Sequence, residues 1–160
     1  MFFLALSGCS QNTRNEGTGE TRVQPTKGRI GETEDQLSKR YGNVLERTTD
    51  GGYQVIEFQI EGYNLRFTMI EGVAEGVTVT KHQKPLNPDE VRVLIEKITG
   101  TPLNTWKFKS TPKFIMIDTP EGYGGLFSIQ NGILIISSKK LEDLQSAQKY
   151  ERDTRGLKGF

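Results

Sequence analysis

Residues 52–69 read GYQVIEFQIEGYNLRFTM, and this stretch decides the fold. Apolar and polar side chains alternate in two runs on either side of Glu61-Gly62, a pattern typical of strands that bury one face. With Glu61-Gly62 as a two-residue turn, Phe58 lies opposite Leu65, and the apolar side chains of both runs share one face. The stretch therefore predicts an antiparallel hairpin.

The polar face of this hairpin supports the same register. Glu57 lies opposite Arg66, which makes an opposite-charge pair across the two strands. A third strand is predicted at 76–81, after the turn residues Glu71-Gly72. Arg66 is also a candidate contact for a partner.

A short helix is predicted before the hairpin, at 33–41. Thr33 and Gln36 have the spacing of a capping box, in which each side chain binds a free backbone N–H group at the start of the helix. Leu37 and Tyr41 lie four residues apart on one face, and Gly42 can close the helix in the left-handed conformation.

A second helix is predicted after the third strand, at 87–99. Asn87 is a favourable capping residue, and Pro88 is favourable at the first helical position. Gly100 ends the helix. The apolar stripe of this helix has the spacing of one buried face and comprises Val91, Leu94, Ile95 and Ile98.

Four more strands are predicted beyond this helix, at 106–109, 113–118, 123–130 and 133–137. Asn131-Gly132 joins the last two and is a strong signal for a tight hairpin turn. Residues 133–136 are all apolar, so the last strand is expected at the centre of the sheet. A weak final helix is predicted at 140–148.

The order of elements predicts an α+β fold, in which an antiparallel sheet has helices packed on one face. A helix followed by strands occurs twice, at 30–86 and 87–145, which suggests an internal duplication. We therefore predict one domain at 30–145, followed by a polar tail at 146–160.

Length and charge limit the function. A chain of 160 residues fits one domain, and its net charge of +1 provides no general attraction to nucleic acid. Lys107, Lys109 and Lys113 lie near Trp106 and Phe108, a combination that suits single-stranded nucleic acid, but lysines on adjacent strands more often form a solvated face. No nucleic-acid partner is expected.

The single cysteine stands near the start of the chain, after a short apolar run. Leu6-Ser7-Gly8-Cys9 resembles the lipobox of bacterial lipoproteins. That resemblance implies a signal leader at 1–8, cleavage before Cys9 and a lipid on its sulfur, with Ser10 indicating the periplasmic face of the outer membrane. Leaders normally start with a positive charge and a longer apolar run, so this leader is expected to be truncated.

Residues 10–29 are polar, with Val23 as their one large apolar side chain. Such a segment cannot form a core and is expected to be a tether that spans about 25 Å on average. The predicted lipid attachment and tether together occupy 9–29. The alternative is a cytosolic chain in which the first residues pack into the core and Cys9 is a small buried hydrophobe.

A weaker resemblance concerns the start of the domain. Ile30-Gly31-Glu32-Thr33, Leu37 and Tyr41-Gly42 resemble the opening of small outer-membrane lipoproteins of the barrel-assembly type. Tandem units of a helix plus strands also resemble the related fold of the β-lactamase inhibitor protein. The resemblance implies a module without catalysis that presents a sheet face or loops to a partner protein.

Residues suited to catalysis are few. His82 is the only histidine, in a polar connection beside two lysines, and a single cysteine excludes a cysteine-pair metal site. Glu71/Glu75 and Asp118/Glu121 could supply paired carboxylates, but acids in strand connections are usually solvated. We predict no catalytic residue, no metal and no cofactor.

The glycine-rich stretch 121–125 precedes a strand rather than a helix, so it does not predict a nucleotide-binding loop. The alternatives are a mobile turn and an interaction loop in which Tyr123 contacts a partner. Trp106 presents a similar choice between the core or a sheet edge and a binding anchor. Tyr123, Trp106 and Arg66 are the candidate partner-binding residues.

Two functional hypotheses follow. In the first, the chain is a lipid-anchored module of the bacterial envelope that contacts an unknown envelope protein through its sheet face and the Tyr123 loop, without catalysis. In the second, it is an extracytoplasmic small-ligand binder or hydrolase of unknown substrate with a site between the layers. A deep cleft that gathers Asp118, Glu121 or His82 would favour the second hypothesis.

Overall fold

The hairpin that decides the fold forms in the predicted register. In the computed structural model, which describes residues 29–155, Phe58 pairs with Leu65 and Glu57 pairs with Arg66. Glu61 and Gly62 both have positive φ, of 49° and 84°, as a tight two-residue hairpin turn requires. The predicted leader, Cys9 and most of the predicted tether lie outside the described residues.

The described residues form three α-helices and eight strands, with a single 3-10 turn at Leu103–Thr105. In chain order, the elements are α1 (Glu34–Tyr41), β1 (Glu46–Asp50), β2 (Tyr53–Ile60), β3 (Tyr63–Ile70), β4 (Val73–Lys81), α2 (Pro88–Thr99), β5 (Lys107–Ser110), β6 (Phe114–Asp118), β7 (Tyr123–Ser128), β8 (Ile133–Ser138) and α3 (Lys139–Thr154).

The strands form one antiparallel sheet in the order β1-β2-β3-β4-β8-β7-β6-β5. Each half of the domain is therefore a helix followed by four strands that pair in sequence. We call residues 33–81 the first half and residues 87–138 the second half. The halves join where β4 pairs with β8, so the apolar strand 133–136 is central, as predicted.

Helices α1 and α2 pack on one face of this sheet, which confirms the predicted α+β fold. Both predicted caps form: Thr33 and Gln36 make a capping box on α1, and Asn87 and Glu90 make one on α2. The core between the layers contains fully buried side chains from both halves, namely Leu37, Ile56, Phe58, Phe67, Val77, Val79, Ile95, Ile117, Phe127, Leu134 and Ile136.

The third helix lies on the opposite face. Leu141 is buried over Gly76, and a Cβ atom placed on that glycine would lie 2.5 Å from Leu141 Cδ2. Gly76 pairs with Ser137, whose hydroxyl donates a hydrogen bond of 3.0 Å to Glu142 on α3. The missing side chain at position 76 allows α3 to approach the sheet closely.

Three elements differ from the sequence predictions. Strand β1 was not predicted, because all five of its residues are exposed and its sequence has no apolar alternation. The β7–β8 turn spans 129–132 rather than two residues, since Ser128 pairs with Ile133. Helix α3 continues past 148 to Thr154, so most of the predicted polar tail is helical. Residues 139–155 contain neither Gly nor Pro to stop it.

Candidate functional site

The face of the sheet opposite α1 and α2, which we call the outer face, changes character at its middle. Paired residues on neighbouring strands point to the same side of a sheet. One row of side chains can therefore be followed along the sheet order β2-β3-β4-β8-β7-β6-β5. In order, this row is Glu57, Arg66, Thr78, Ile135, Leu126, Met116 and Lys109. It is charged and polar in the first half and apolar in the second half until it reaches β5.

We call the apolar side chains of the outer face in the second half the outer apolar patch. The patch comprises Phe114, Met116, Leu126, Ile133 and Ile135. The exposed fractions are 39% for Phe114, 38% for Met116 and 42% for Ile135, and the other two side chains are half-buried. Isolated exposed apolar side chains are ordinary, but a contiguous group on three neighbouring strands is a common mark of a binding surface.

Helix α3 crosses the outer face but leaves the patch open. It begins at the end of β8, passes over Gly76, and runs toward the β1–β2 turn, where Gln148 lies near Gly52. It therefore covers one end of the outer face in the first half. The start of α3 also lies over one end of β7, where a Cβ atom on Gly124 would clash with Glu142. The patch occupies the rest of the outer face of β6, β7 and β8, which no helix of residues 29–155 covers.

The margin of the patch is basic. Lys107 and Lys109 on β5 lie on the outer face opposite Asp118 and Met116, and Lys113 stands in the turn between β5 and β6. Within residues 29–155, none of these three lysines has a carboxylate within ion-pair distance. Unpaired cations beside an apolar surface suit a partner that carries carboxylates around an apolar centre.

Charges on the outer face of the first half pair with one another instead. Arg66 lies 3.6 Å from the Glu57 carboxylate and 3.9 Å from the Asp50 carboxylate. Arg66, a predicted partner-binding residue, is 44% exposed in its side chain and lies in the polar part of the outer face. It is available to a partner, but it stands outside the outer apolar patch.

Trp106 and Tyr123 lie elsewhere. Trp106 is 6% exposed, and its indole N–H donates a hydrogen bond of 3.3 Å to the Thr101 carbonyl, so it belongs to the core and not to the surface. Tyr123 is half-buried against the core, and burial, followed by the Glu75 and Glu121 carboxylates, raises its pKa. The structure therefore does not bring the three predicted partner-binding residues together.

The patch residues themselves were not selected from the sequence. The signal was present in the run 133–136, which is apolar at every position. That run predicts a central strand, which is confirmed, but it does not predict that Ile135 is 42% exposed. Only the position of α3, which the sequence does not specify, distinguishes a covered face from an open one.

A separate cleft of about 630 Å³ lies between α1, α2 and the β2–β3 hairpin. Its apolar lining includes Ile60, Leu65 and Leu94, and Tyr41 and Tyr63 are among its other lining residues. The volume is within the usual range for small-molecule sites. The cleft contains none of the predicted catalytic candidates Asp118, Glu121 and His82.

Two charged clusters border this cleft. The buried carboxylate of Glu32 accepts hydrogen bonds of 2.6 and 3.3 Å from Arg40, which neutralise its charge. At the other cluster, Glu90 accepts hydrogen bonds from Lys81, Tyr63 and the Asn87 backbone. The Lys81 hydrogen bond, followed by that of Asn87, lowers the pKa of Glu90 from 4.5 to about 2.

The remaining catalytic candidates are in ordinary surroundings. His82 is exposed, with its ring nitrogen next to the Gln59 amide. Glu71 and Glu75 both approach Lys140, at 2.6 and 3.9 Å. Within residues 29–155, no group of three or more His, Cys, Asp or Glu side chains is arranged to hold a metal ion.

No family model matches this chain, and no curated protein sequence matches it. Among solved structures, a cysteine-rich secretory protein from Staphylococcus aureus is 9% identical, with a TM-score of 0.41 over 71% of this chain and 46% of that one. An extracellular protein with an SCP domain from Bacillus anthracis is 13% identical, with a TM-score of 0.40 over 84% of this chain and 51% of that one.

This chain therefore spans about half the length of both structures, and similarities of this size do not extend to function. Neither of the two is an outer-membrane assembly lipoprotein or a β-lactamase inhibitor protein, so that resemblance stays a prediction. Among residues 29–155, the structure contains no helix with the length and apolarity needed to cross a membrane.

Proposed function

We propose that the protein is a lipid-anchored module of the bacterial envelope that binds another envelope protein through the outer apolar patch, without catalysis. The observation that carries this proposal is the change along the exposed row of the outer face, from charged and polar side chains in the first half to apolar side chains in the second half. On a surface that contacts only solvent, the exposed apolar side chains of Met116 and Ile135 would have no stabilising contact, whereas a partner protein could bury them.

The chemistry of the patch favours protein as the ligand. Interfaces between proteins typically combine an apolar centre with a polar margin. Here Met116, Leu126 and Ile135 form the centre, and Lys107 and Lys109 form one margin. The partner surface is therefore expected to have an apolar centre and at least one acidic border.

The membrane anchor in this proposal is supported by the sequence. The lipobox-like Leu6-Ser7-Gly8-Cys9 would place a lipid at one end of the polar tether. A tether of about 25 Å would hold the domain close to the membrane surface, where it could search for a membrane-associated partner. Ser10 supports the periplasmic face of the outer membrane as the location.

Site-specific photocrosslinking in the native cell tests the binding surface. A photoreactive residue at position 135 or 116 is expected to give a discrete adduct with one partner. The matched control is the same residue at position 78, which lies in the same row across the β4–β8 pair. Adducts of equal yield from positions 78 and 135, or none from any patch position, would contradict the proposal.

The anchor is tested separately with Cys9→Ser. This variant is expected to lose its membrane fractionation and its crosslinks, while the purified protein unfolds at the same urea concentration as the wild type. Retention of C9S in the membrane fraction would remove the lipid anchor from the proposal. Adducts that persist in that variant would keep the binding surface and discard the need for anchoring.

The cleft between α1 and α2 favours a second candidate function, small-ligand binding, because its volume of about 630 Å³ and its apolar lining suit a ligand. Leu94→Trp would fill part of this cleft and leave the outer face unchanged. We expect crosslinking from position 135 to be unaffected by L94W. A loss of function in cells with intact crosslinking would favour the cleft.

A further inference from the structure

Strand β5 is an edge strand with one side unpaired. It pairs with β6 on one side, and on the other side no strand of residues 29–155 lies beside it. All four of its residues, Lys107 to Ser110, are exposed. Its outward backbone N–H and C=O groups are therefore available to an additional strand.

The two faces of β5 differ sharply in chemistry. Lys107 and Lys109 point to the outer face, whereas Phe108, which is 48% exposed, points to the side of α2. Phe108 and Ser110 line a groove of about 460 Å³ between the edge of the sheet and α2. The other apolar lining residues of this groove come from α2, the 3-10 turn and β6, and include Val91, Ile95, Leu103, Ile115 and Ile117.

We propose that β5 binds an extended segment of the partner protein as a ninth strand, in which apolar side chains alternate with carboxylates. Successive side chains of a strand point to opposite faces. Every second side chain of the added strand would therefore enter the groove beside Phe108, and the others would lie beside Lys107 and Lys109. This inference adds a binding mode to the proposed function, and it rests on that function in assuming that the ligand is a protein.

The described surface argues against an occupant from this chain. The tether 10–29 contains Val23 as its one large apolar residue and more basic than acidic residues, so it matches neither the groove nor the lysines. The opposite edge strand β1 of a second copy has the sequence ERTTD, which has no apolar side chain for the groove. Neither segment supplies the required alternation, so the occupant that we propose is a segment of another protein.

The two edges of the sheet show why β5 is the binding edge. Lysines on an edge strand usually prevent unwanted pairing between sheets. On β5 the same lysines would reject neutral and basic strands and accept an acidic one, while the groove supplies apolar contact. A cleft of about 510 Å³ lies between the end of β1 and α3, but its lining includes Asp50, Gln148 and Arg152, so it does not offer the apolar contact of the β5 groove. Arg47 on β1 also pairs with Glu34 on α1.

A synthetic peptide tests this inference with the full-length protein. The probe is a seven-residue peptide of alternating Glu and Val with blocked ends, and its control has the same composition with the Glu residues grouped at one end. We expect the alternating peptide to bind at least about tenfold more tightly and to slow amide hydrogen exchange in residues 107–110. Equal binding of both peptides, or slowed exchange at β1 instead, would overturn the inference.

Charge reversal supplies the second arm. The variant Lys107→Glu/Lys109→Glu is expected to lose about tenfold in affinity for the Glu–Val peptide and to gain a similar factor for a Lys–Val peptide. Lys84→Glu/Lys149→Glu has the same change in net charge at exposed positions outside β5 and should behave like the wild type. Equal losses in both variants would indicate general electrostatics and overturn the inference.

Lys107→Gln/Lys109→Gln provides a milder variant if the charge reversal prevents folding, and it is expected to weaken binding of the Glu–Val peptide without the gain for the Lys–Val peptide. Crosslinking from position 135 in cells distinguishes failure of this inference from failure of the proposed function. Crosslinks at position 135 with no peptide binding at β5 would leave the proposed function standing and remove the added strand.

Discussion

In the first half of the domain, a helix and four strands leave a polar edge strand and an outer face whose exposed side chains are polar. In the second half, the same order of elements leaves an edge strand beside an apolar groove and an outer face that carries the apolar patch. The two halves share the same capping device at the start of their helices. The plan of the fold is therefore compatible with two different surfaces.

The difference lies in where each half places its apolar side chains. The first half concentrates its aromatic rings inside, where Tyr41 on α1 lies 5.6 Å from the Phe58 ring and 5.8 Å from the Phe67 ring. On the outer face of the first half, Val55 is only 6% exposed and lies beside α3, whereas Met116 and Ile135 on the outer face of the second half are 38% and 42% exposed. We infer that the first half mainly stabilises the domain, and that the second half both completes the core and presents the binding surface.

The largest expected difference in stability between the two halves concerns the glycines of their hairpin turns. Gly62 in the first half and Gly132 in the second half both have positive φ, of 84° and 60°. A Cβ atom on Gly62 would meet nothing within 4 Å, whereas one on Gly132 would lie 2.5 Å from the backbone nitrogen of Leu86. Gly132→Ala is expected to lower the free energy of unfolding by about 2–4 kcal/mol, and Gly62→Ala by about 1 kcal/mol.

Urea unfolding followed by Trp106 fluorescence and by circular dichroism measures both variants. Because the halves share one core across β4 and β8, we expect the two probes to report one coincident transition in each variant. Equal losses for the two glycines would show that the close approach at Gly132 carries no special cost. Separate transitions would show that the halves unfold independently.

Much of the first half could be predicted from the sequence, because its signals are local. The alternation in 53–69 and the turn at Glu61-Gly62 fix the hairpin register, and the Thr33/Gln36 capping box fixes the start of α1. Strand β1 could not be predicted, since an exposed edge strand is held by backbone pairing with β2 and needs no apolar side chain.

The candidate site could not be predicted in the same way. The continuous apolar run in β8 places apolar side chains on both faces of the strand, but the sequence does not say what covers each face. The length and direction of α3 determine that Ile135 remains exposed while Leu141 is buried over Gly76. For Trp106 the sequence left the core and a binding anchor as alternatives, because aromatic residues serve both, and the structure places it in the core.

The two capping boxes differ in how their contributions to stability are expected to depend on pH. In α1 the reciprocal side chain is Gln36, which is neutral, whereas in α2 it is Glu90, whose pKa is lowered to about 2. A folded-state pKa below the unfolded value gives stability that is present above the unfolded pKa and is lost as the pH falls toward the folded pKa. Glu90 is therefore expected to stabilise the protein above about pH 4.5 and to lose this effect between pH 4.5 and pH 2.

Comparison of the wild type with Glu90→Gln isolates this effect. The difference between their free energies of unfolding should be constant near neutral pH and should shrink as the pH falls below 4.5. Other paired carboxylates, such as Glu71 beside Lys140, are present in both proteins and cancel in the difference. Gln36→Ala should remove the α1 counterpart without any pH dependence in this range, and a pH-independent difference for E90Q would contradict the assignment.

The smallest expected effect concerns Arg66, the predicted partner-binding residue that lies in the polar row of the first half. Exposed ion pairs contribute little, because solvent screens them and two long side chains must be held in place. Arg66→Ala is therefore expected to lower the free energy of unfolding by less than about 1 kcal/mol, with a smaller loss at high salt.

Arg66→Ala should leave crosslinking from position 135 unchanged, whereas Met116→Lys should abolish most of it. The urea midpoint of Met116→Lys should shift little, since Met116 is already 38% exposed. A loss of crosslinking in Arg66→Ala equal to that in Met116→Lys would mean that the partner reaches across β4 and β8. The first half would then belong to the interface, and the assignment of stabilisation to the first half and of binding to the second half would be wrong.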